Sequence, residues 1–227
     1  MTQKRGRPAS ADLHERRTEE ILAAAAKLFA ERGYADADTQ ELADRLGVGK
    51  GTLYRYFPSK RELFLAAADL GMRRLTERID ATLPPDGDPL ESMSQGIQTY
   101  LEYFDQHPEL VELLILERAQ FKDRKTPTYF EHRERNSCRW EEAFRGLMAA
   151  GRIREMPVER LLGVLGDLIY GTMFTNHFTG RRGSYRIQAE EIVDFVLYGI
   201  LTDRERSTRP QRSAAGRPLP APKRVKR

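Results

Sequence analysis

The chain has 227 residues, of which 40% are hydrophobic and 32% are charged, and it carries a formal net charge of +4. This globular composition allows a sizeable buried core and excludes a fibrous or wholly disordered protein. Charged residues or glycines interrupt the apolar stretches, and the first residues are polar and basic, which argues against a membrane span and a secretory signal. Cys138 is the single cysteine, which excludes an internal disulfide framework. We therefore expect a soluble, cytoplasmic protein without a membrane partner.

The positive charge is concentrated at the C-terminus. Residues 204–227 hold nine basic residues and one acidic residue, a balance of +8, which leaves −4 for residues 1–203. The high pI is therefore a property of the tail and is no evidence that the body binds nucleic acid. Proline and arginine with few large apolar side chains predict a disordered basic tail over 204–227. Such a tail is either merely solvated or adds nonspecific affinity for DNA.

The first predicted element is a flexible basic arm, residues 1–13. A helical pattern takes over at about Ala11 and ends at Gly33. Three further helices are predicted at about residues 39–46, 49–56 and 59–83. Their starts carry capping signals: Asp38 with Glu41, and Ser59 with Glu62, have the spacing of a capping box. Gly47 and Gly49 mark the end of the second helix and the start of the third.

The sequence Pro84–Gly87 is the clearest internal break, and most of the helices beyond it begin at prolines. These further helices are predicted to start near Pro89, Pro108, Pro127, Pro157 and Ser184. No stretch alternates with a period of two residues, so we predict an all-α fold of about nine helices. The predicted N-terminal domain covers residues 14–75, and the predicted C-terminal helical domain covers residues 76–203.

Residues 37–56 have the pattern of a helix-turn-helix. Leu42, Ala43 and Leu46 give the first short helix an inward face, and Gly47 supplies a left-handed turn residue. Leu53 and Phe57 anchor the second helix. The remaining side chains of that helix are short, polar or basic and are predicted to face outward, as a helix that enters a major groove requires.

The run from Arg17 to about Leu75 resembles the tetracycline-repressor (TetR) family of transcriptional regulators. The resemblance rests on residues 25–34 (AAKLFAERGY) and 51–64 (GTLYRYFPSKRELF), and it covers about the first third of the chain. It implies an N-terminal three-helix DNA-binding domain, a C-terminal dimerisation and effector domain, and a third helix that reads the major groove. It also implies that Tyr54 and Lys60 hold phosphates and that Thr39 and Gln40 touch the backbone or bases.

The DNA-binding residues predicted in this way are Arg5, Arg7, Thr39, Gln40, Lys50, Gly51, Thr52, Tyr54, Arg55, Tyr56 and Lys60. Two positions depart from the family pattern. Gly49 stands where serine or threonine is usual as N-cap, and Gln40 stands where arginine is frequent. Arg5–Pro8 (RGRP) resembles the core of an AT-hook, which lies in the minor groove of A·T tracts; the alternative is a merely solubilising arm.

The effector is expected between the helices of residues 60–175, in an apolar cavity with a few polar groups. The candidate ligand-binding residues are Tyr103, His107, Glu117, Trp140 and Asn176. Core packing is the default interpretation for each aromatic side chain in this region, although the resemblance implies that several of them, from a set that includes Tyr129, line the cavity. The four histidines lack ligand spacing, so no metal and no cofactor are expected.

The apolar residues of the last two helices exceed what one buried stripe needs, which fits the homodimer that the resemblance implies. Gly163, Gly166 and Gly171 are predicted to allow close approach across the subunit interface, with a locally loosened helix as the alternative. The predicted function is a ligand-responsive repressor that binds a palindromic DNA operator. An enzyme is disfavoured because no nucleophile–base pair or phosphate loop is recognisable, and an effector-free architectural DNA-binding protein is the remaining alternative.

Overall fold

The computed structural model describes residues 8–84, 87–181 and 183–208. Within these residues the fold is all-α, as predicted. The ten helices are α1 (Pro8–Asp36), α2 (Thr39–Arg45), α3 (Lys50–Tyr56), α4 (Lys60–Thr82), α5 (Pro89–Gln106), α6 (Pro108–Gln120), α7 (Thr128–Ala149), α8 (Val158–Thr179), α9 (Tyr185–Ile200) and α10 (Asp203–Thr208). None of the described helices is both long enough and apolar enough to span a membrane.

The described residues are helical at both of their ends, where the sequence predicted a flexible arm and a disordered tail. α1 begins at Pro8, inside the segment predicted as a flexible arm. Proline is favoured in the first turn of a helix because its missing N–H has no intrahelical partner there. At the other end, α10 occupies residues 203–208, where disorder was predicted from Arg204. Arg152 holds this end by pairing with both Asp88 and Glu205, each at 3.0 Å.

Glycines with positive backbone φ angles interrupt α1 and follow the end of α2, at the positions that the sequence predicted. Gly33 interrupts α1 with φ 76°. Gly47 follows α2 with φ 63°. The N–H of Val48 donates to the carbonyl of Ala43 at 3.0 Å, and that of Gly47 donates to Asp44 at 3.1 Å. This pair of bonds is a Schellman motif, which a glycine at the left-handed position allows without steric cost.

Two hydrophobic cores lie along α4. The N-terminal core is built from α1, α2, α3 and the first half of α4, and its α4 members end at Leu70. The C-terminal core begins at Met72 and continues through α5, α6, α7, α8 and α9. α4 is therefore one uninterrupted helix shared by both cores, and the change between them falls slightly before the predicted domain boundary at residue 75.

The end of α6 packs into the N-terminal core, although it belongs to the C-terminal domain by sequence. Leu113 and Phe121 are both buried there. The Phe121 ring meets the ring of Phe64 at 5.3 Å and that of Tyr34 at 4.9 Å. The two domains are therefore joined by aromatic packing at the end of α6 as well as by α4.

The glycines of α8 do not share one role. A Cβ at Gly166 would lie 2.5 Å from the guanidinium carbon of Arg133, so this glycine makes room for an arginine of α7 in the same chain. The prediction of a subunit contact is wrong for Gly166, because the space is already filled. No atom of the described chain lies within 4 Å of a Cβ placed at Gly163 or Gly171. For these two glycines the subunit contact stays a prediction.

Candidate DNA-binding surface and effector cavity

α2 and α3 form a helix-turn-helix with well-defined ends. Asp38 caps α2 by accepting a hydrogen bond from the N–H of Gln40 at 2.8 Å. Glu41 does not extend this cap in the manner suggested by the sequence, since its Oε1 accepts from Arg45 at 2.6 Å. Gly49 begins α3 without a side-chain cap. The hydroxyls of Thr39 and Tyr54 lie 3.1 Å apart and tie the start of α2 to the middle of α3.

α3 buries one side and exposes the other. Leu53 is buried at 1% exposure, which fixes the helix against the N-terminal core. The predicted reading residues Lys50, Gly51 and Arg55 are exposed, while Thr52 is half-buried. Tyr54 keeps 38% of its surface exposed in spite of the contact with Thr39. The helix therefore presents a short polar and basic surface to the outside.

The start of α4 brings a further predicted contact next to α2. Ser59 caps α4 by accepting from the N–H of Glu62 at 3.1 Å, as its S-x-x-E spacing predicted. The Lys60 ammonium donates to the carbonyl of Ala35 at 2.9 Å and lies 5.0 Å from the centre of the Tyr34 ring. On the other side, the Lys50 ammonium lies 3.7 Å from the Asp38 carboxylate. One of these ammonium groups belongs to the start of α3 and the other to the start of α4.

Part of the positive charge of the N-terminal domain is already neutralised. Arg45 contacts the carboxylates of Glu31 at 2.8 Å and Glu41 at 2.6 Å. The hydrogen bonds from Arg45 lower the pKa of both carboxyl groups, so both stay ionised at neutral pH. Arg32 also pairs with Glu41, at 3.5 Å. Arg32 and Arg45 therefore already have carboxylate partners within the N-terminal domain.

Two supporting contacts from α1 were missed by the sequence analysis. The His14 ring stacks on Tyr56 at 4.7 Å, and the Arg17 guanidinium donates to the carbonyl of Leu46 at 3.1 Å. Both contacts join α1 to the helix-turn-helix over long sequence separations, so no local signal marks them. The predicted minor-groove residues Arg5 and Arg7 lie outside the described residues.

A cavity of about 210 Å³ lies in the C-terminal domain between α4, α5, α7 and α8. Most of its lining is apolar or aromatic. The lining residues are Met72, Leu75, Thr76, Ile79, Met93, Gly96, Ile97, Tyr100, Tyr129, His132, Arg133, Asn136, Ser137, Trp140, Leu162, Leu165, Gly166 and Ile169. Four of them belong to α4, so the cavity touches the helix that continues into the DNA-binding domain.

Of the five predicted ligand residues, only Trp140 lines this cavity. The others have structural partners elsewhere. Glu117 is buried and accepts from the N–H and hydroxyl of Thr128, both at 3.0 Å, so it fastens the α6–α7 loop. The Tyr103 hydroxyl donates to the carbonyl of Gly71 at 3.1 Å, and its ring packs on His107 at 4.4 Å.

Asn176 lines a second cavity, of about 190 Å³, between α5, α6, α8 and α9. Its amide donates to Gln188 of α9 at 2.7 Å, which couples the last two helices. Polarity alone had suggested these residues as ligand contacts, but a polar side chain inside a helical domain is more often satisfied by the protein itself.

One face of α7 supplies the polar lining of the first cavity. The spacing of Tyr129, His132, Arg133, Asn136 and Trp140 is that of a single helix face. His132 is buried, and its Nε2 lies 2.7 Å from the Asp69 carboxylate of α4. The Tyr100 hydroxyl of α5 donates to the Tyr129 hydroxyl at 3.0 Å. The helical spacing was a signal that the sequence analysis could have used, and it was overlooked because each residue was weighed singly.

The family model of the tetR family of bacterial regulatory proteins matches residues 21–67, which contain α2, α3 and the start of α4. Residues 21–67 form a TetR-family N-terminal domain. The match covers the helices on both sides of α3. Gly49, at the N-cap of α3, is the position that departs from the family pattern. Among the described residues, no group of three potential metal ligands is assembled.

Two TetR-type relatives illustrate how far the likeness extends. The chain is 31% identical over 91 residues to the transcriptional activator FasR of Mycolicibacterium smegmatis, covering 40% of this chain and 42% of FasR. It is 35% identical over 107 residues to the transcriptional repressor KstR of Rhodococcus jostii, covering 46% of this chain and 49% of KstR. The matched part spans about half the length of these relatives.

A solved structure matches the fold of most of the chain, although its sequence is only distantly similar. The structure of the fatty acid degradation regulator FadR from Bacillus halodurans superposes with a TM-score of 0.69 at 16% identity, covering 86% of this chain and 97% of FadR. At this identity the likeness concerns the fold.

Proposed function

We propose that the protein is a cytoplasmic, ligand-responsive transcriptional repressor that binds a palindromic DNA operator as a homodimer and is released by a small molecule. The observation that carries the proposal is that a single helix, α4, connects the helix-turn-helix to the cavity. α4 begins at Lys60, shortly after α3 ends at Tyr56, and its second half lines an apolar cavity. Footprinting of the purified protein on the promoter beside its own gene tests it. A discrete protected palindrome supports a specific regulator, whereas bending without sequence preference favours the architectural alternative.

The proposed DNA contacts are those predicted from the sequence. Lys50, Thr52 and Arg55 face the major groove from α3, where short polar and basic side chains can reach base edges. Tyr54 and Lys60 are proposed to hold phosphates. Thr39 and Gln40 are proposed to touch the backbone or bases, and Tyr56 is a further proposed contact. The arginines of the N-terminal arm are proposed to reach the adjacent minor groove.

Tyr54→Phe and Lys60→Ala are expected to weaken binding to all DNA sequences alike, because both side chains are proposed to contact phosphates. Lys60→Ala should also reduce the slope of log affinity against log salt concentration by about 0.9, the value for one phosphate contact on duplex DNA. Titration of each variant against operator and unrelated DNA at several salt concentrations measures both effects.

Arg145→Ala is the matched control for Lys60→Ala, since it removes one exposed positive charge from α7. It should leave affinity and salt slope unchanged. Thermal unfolding of all variants is required, because Lys60 also bonds to Ala35 and Tyr54 to Thr39. Relaxed preference at a single base position would show that the substituted side chain reads a base instead of a phosphate.

The proposed dimer uses the outer faces of α8 and α9. Among the described residues, these two helices carry most of the large apolar side chains that remain strongly exposed in the single chain: Val164, Phe178, Ile187, Phe195 and Tyr198. An apolar patch of this kind on a soluble domain marks an interaction surface. A twofold dimer would bury it and would space two copies of α3 for half-sites about 34–36 Å apart, or a multiple of that distance.

Release from DNA is proposed to pass through α4. A ligand shifts the protein only if it binds the non-binding conformation more tightly, with typical coupling of about 1–3 kcal/mol. The His132–Asp69 hydrogen bond joins the cavity wall to α4 at the point where one core gives way to the other. A ligand that moves α7 would thereby move α4.

Breaking the stiffness of α4 by Arg73→Gly is expected to uncouple the two sites while each still binds its partner. Glycine in an exposed helix position costs about 1 kcal/mol and loosens the backbone. Arg73 is exposed and pairs with Asp69 at 3.0 Å, so Arg73→Ala is the matched control that removes the ion pair and keeps the helix stiff. Operator release is measured as a function of effector concentration. Full release by effector in the glycine variant, with both affinities unchanged, would contradict the role of α4.

A further inference from the structure

The lining of the first cavity includes one permanently charged side chain. Of the described residues that line it, Arg133 is the only lysine, arginine, aspartate or glutamate. The opposite walls are hydrocarbon, contributed by Met72, Leu75 and Met93 among others. An apolar chamber with one guanidinium at its edge is a specific chemical environment, because few ligands satisfy both parts.

Arg133 is held in place by α8. Its guanidinium donates to the carbonyls of Leu162 at 3.4 Å and Gly163 at 3.1 Å. The absence of a side chain at Gly166 is what allows this approach, since a Cβ there would collide with the guanidinium. These contacts fix the guanidinium in one position on the cavity wall.

The acidic partner of Arg133 is easily exchanged. Asp167 contacts the guanidinium at 3.0 Å, but 78% of its side chain is exposed to solvent. Exposed ion pairs contribute little to stability because water solvates both partners. A carboxylate delivered by a ligand can therefore take over the contact with Arg133 while Asp167 turns to solvent.

Two tyrosine hydroxyls add hydrogen-bond donors to the polar end. Burial raises the pKa of Tyr129 to about 12 and that of Tyr100 well above its usual value, so both keep their protons. The Tyr129 hydroxyl accepts from Tyr100, and this bond leaves its own proton for another acceptor. Guanidinium and hydroxyl donors together match a ligand head that accepts hydrogen bonds and carries negative charge.

We infer that the effector is an amphiphilic monocarboxylate, whose carboxylate binds Arg133 and whose hydrocarbon chain fills the space between α4, α5 and α8. The volume of about 210 Å³ is below the roughly 300 Å³ from which drug-sized pockets begin, which favours a short or medium chain. This inference rests on the proposed function of the cavity as the effector site.

The test compares three probes that share an eight-carbon chain: octanoate, octanol and octyltrimethylammonium. Trp140 is the only tryptophan of the chain and lines the cavity, so its fluorescence reports occupancy directly. Octanoate is expected to bind at least about tenfold more tightly than the other two, the gain that a hydrogen bond to a charged group provides. Isothermal titration calorimetry provides an independent dissociation constant for each probe.

Two substitutions separate a ligand contact from a merely structural arginine. Arg133→Gln should weaken octanoate about tenfold or more and leave octanol within about twofold. Asp167→Asn should tighten octanoate by up to about fivefold, because it removes the competing carboxylate. Arg139→Gln makes the same charge change on the same helix outside the lining and should alter neither affinity.

Equal binding of octanoate and octanol, preferential binding of octyltrimethylammonium, or undiminished octanoate binding by Arg133→Gln would each overturn the inference. Failure of all three probes to bind would overturn it as well. Operator binding is measured separately on the same preparation. A protein that binds octanoate but no DNA would keep this inference and refute the proposed function, and the reverse result would do the opposite.

Discussion

Replacing Phe195 by glutamate is expected to convert the dimer into a monomer and to lower operator affinity by about a hundredfold or more. Phe195 is 76% exposed on α9 and is the most exposed member of the apolar surface proposed as the dimer interface. The substitution would bury two unpaired carboxylates across the twofold axis, which is strongly unfavourable. A monomer loses the effective concentration that links two half-sites, commonly worth about 10²–10⁴ in affinity.

Sedimentation at micromolar concentration and titration on an operator with two half-sites measure these effects. Ala149→Glu places the same charge on the exposed surface of α7 and serves as the control, for which no change of mass or affinity is expected. If the wild type sediments as a monomer and still binds the palindrome specifically, the dimer proposal fails. A stable dimer of the Phe195→Glu variant would place the interface on another surface.

Phe64→Ala is expected to lower the free energy of unfolding by about 3–5 kcal/mol, the range for a fully buried phenylalanine truncated to alanine. Phe64 has no exposed surface, and its ring meets those of Phe29 at 5.1 Å, Tyr34 at 5.4 Å and Phe121 at 5.3 Å. The loss has two contributions: the hydrophobic free energy of the removed ring, and the cavity that remains because the three neighbouring rings cannot move in to fill it.

Denaturant unfolding at a fixed protein concentration measures this loss, since dimerisation makes apparent stability depend on concentration. Leu13→Ala is the control, because Leu13 is 70% exposed and its truncation should change stability by no more than about 0.5 kcal/mol. Because Phe121 comes from the end of α6, Phe64→Ala should also weaken effector-dependent release of DNA. A loss below about 1 kcal/mol would mean that the aromatic cluster does not hold the two domains together.

Most helix starts and ends of this protein were predictable because their signals are local. Asp38, Ser59 and Pro108 stand where α2, α4 and α6 begin, and Gly47 stands where α2 ends. A cap satisfies backbone groups within three or four residues, so its effect can be read from a short stretch of sequence. The outward face of α3 was predictable in the same way, from the spacing that buries Leu53.

The interior of the C-terminal domain was decided by tertiary packing. Trp140 was the single lining residue predicted as a ligand contact, and Arg133, His132 and Tyr100 were not predicted to line the cavity. Arg133 reaches the cavity wall because Gly166, 33 residues away along the chain, leaves room for it. Glu117 was predicted as a ligand contact because of its charge, but its carboxylate contacts Thr128 and Arg124 instead.

The sequence by itself thus determined the TetR-type N-terminal domain, the all-α class, most helix limits and the exposed face of α3. The cavity, the partner of Lys60 and the docking of α6 onto the DNA-binding domain were decided only in the tertiary structure. The physical reason is the range of the interactions. Caps and helix faces depend on neighbours within about one helical turn. A cavity wall depends on which side chains from helices distant in sequence pack against each other, and no local sequence pattern specifies that packing.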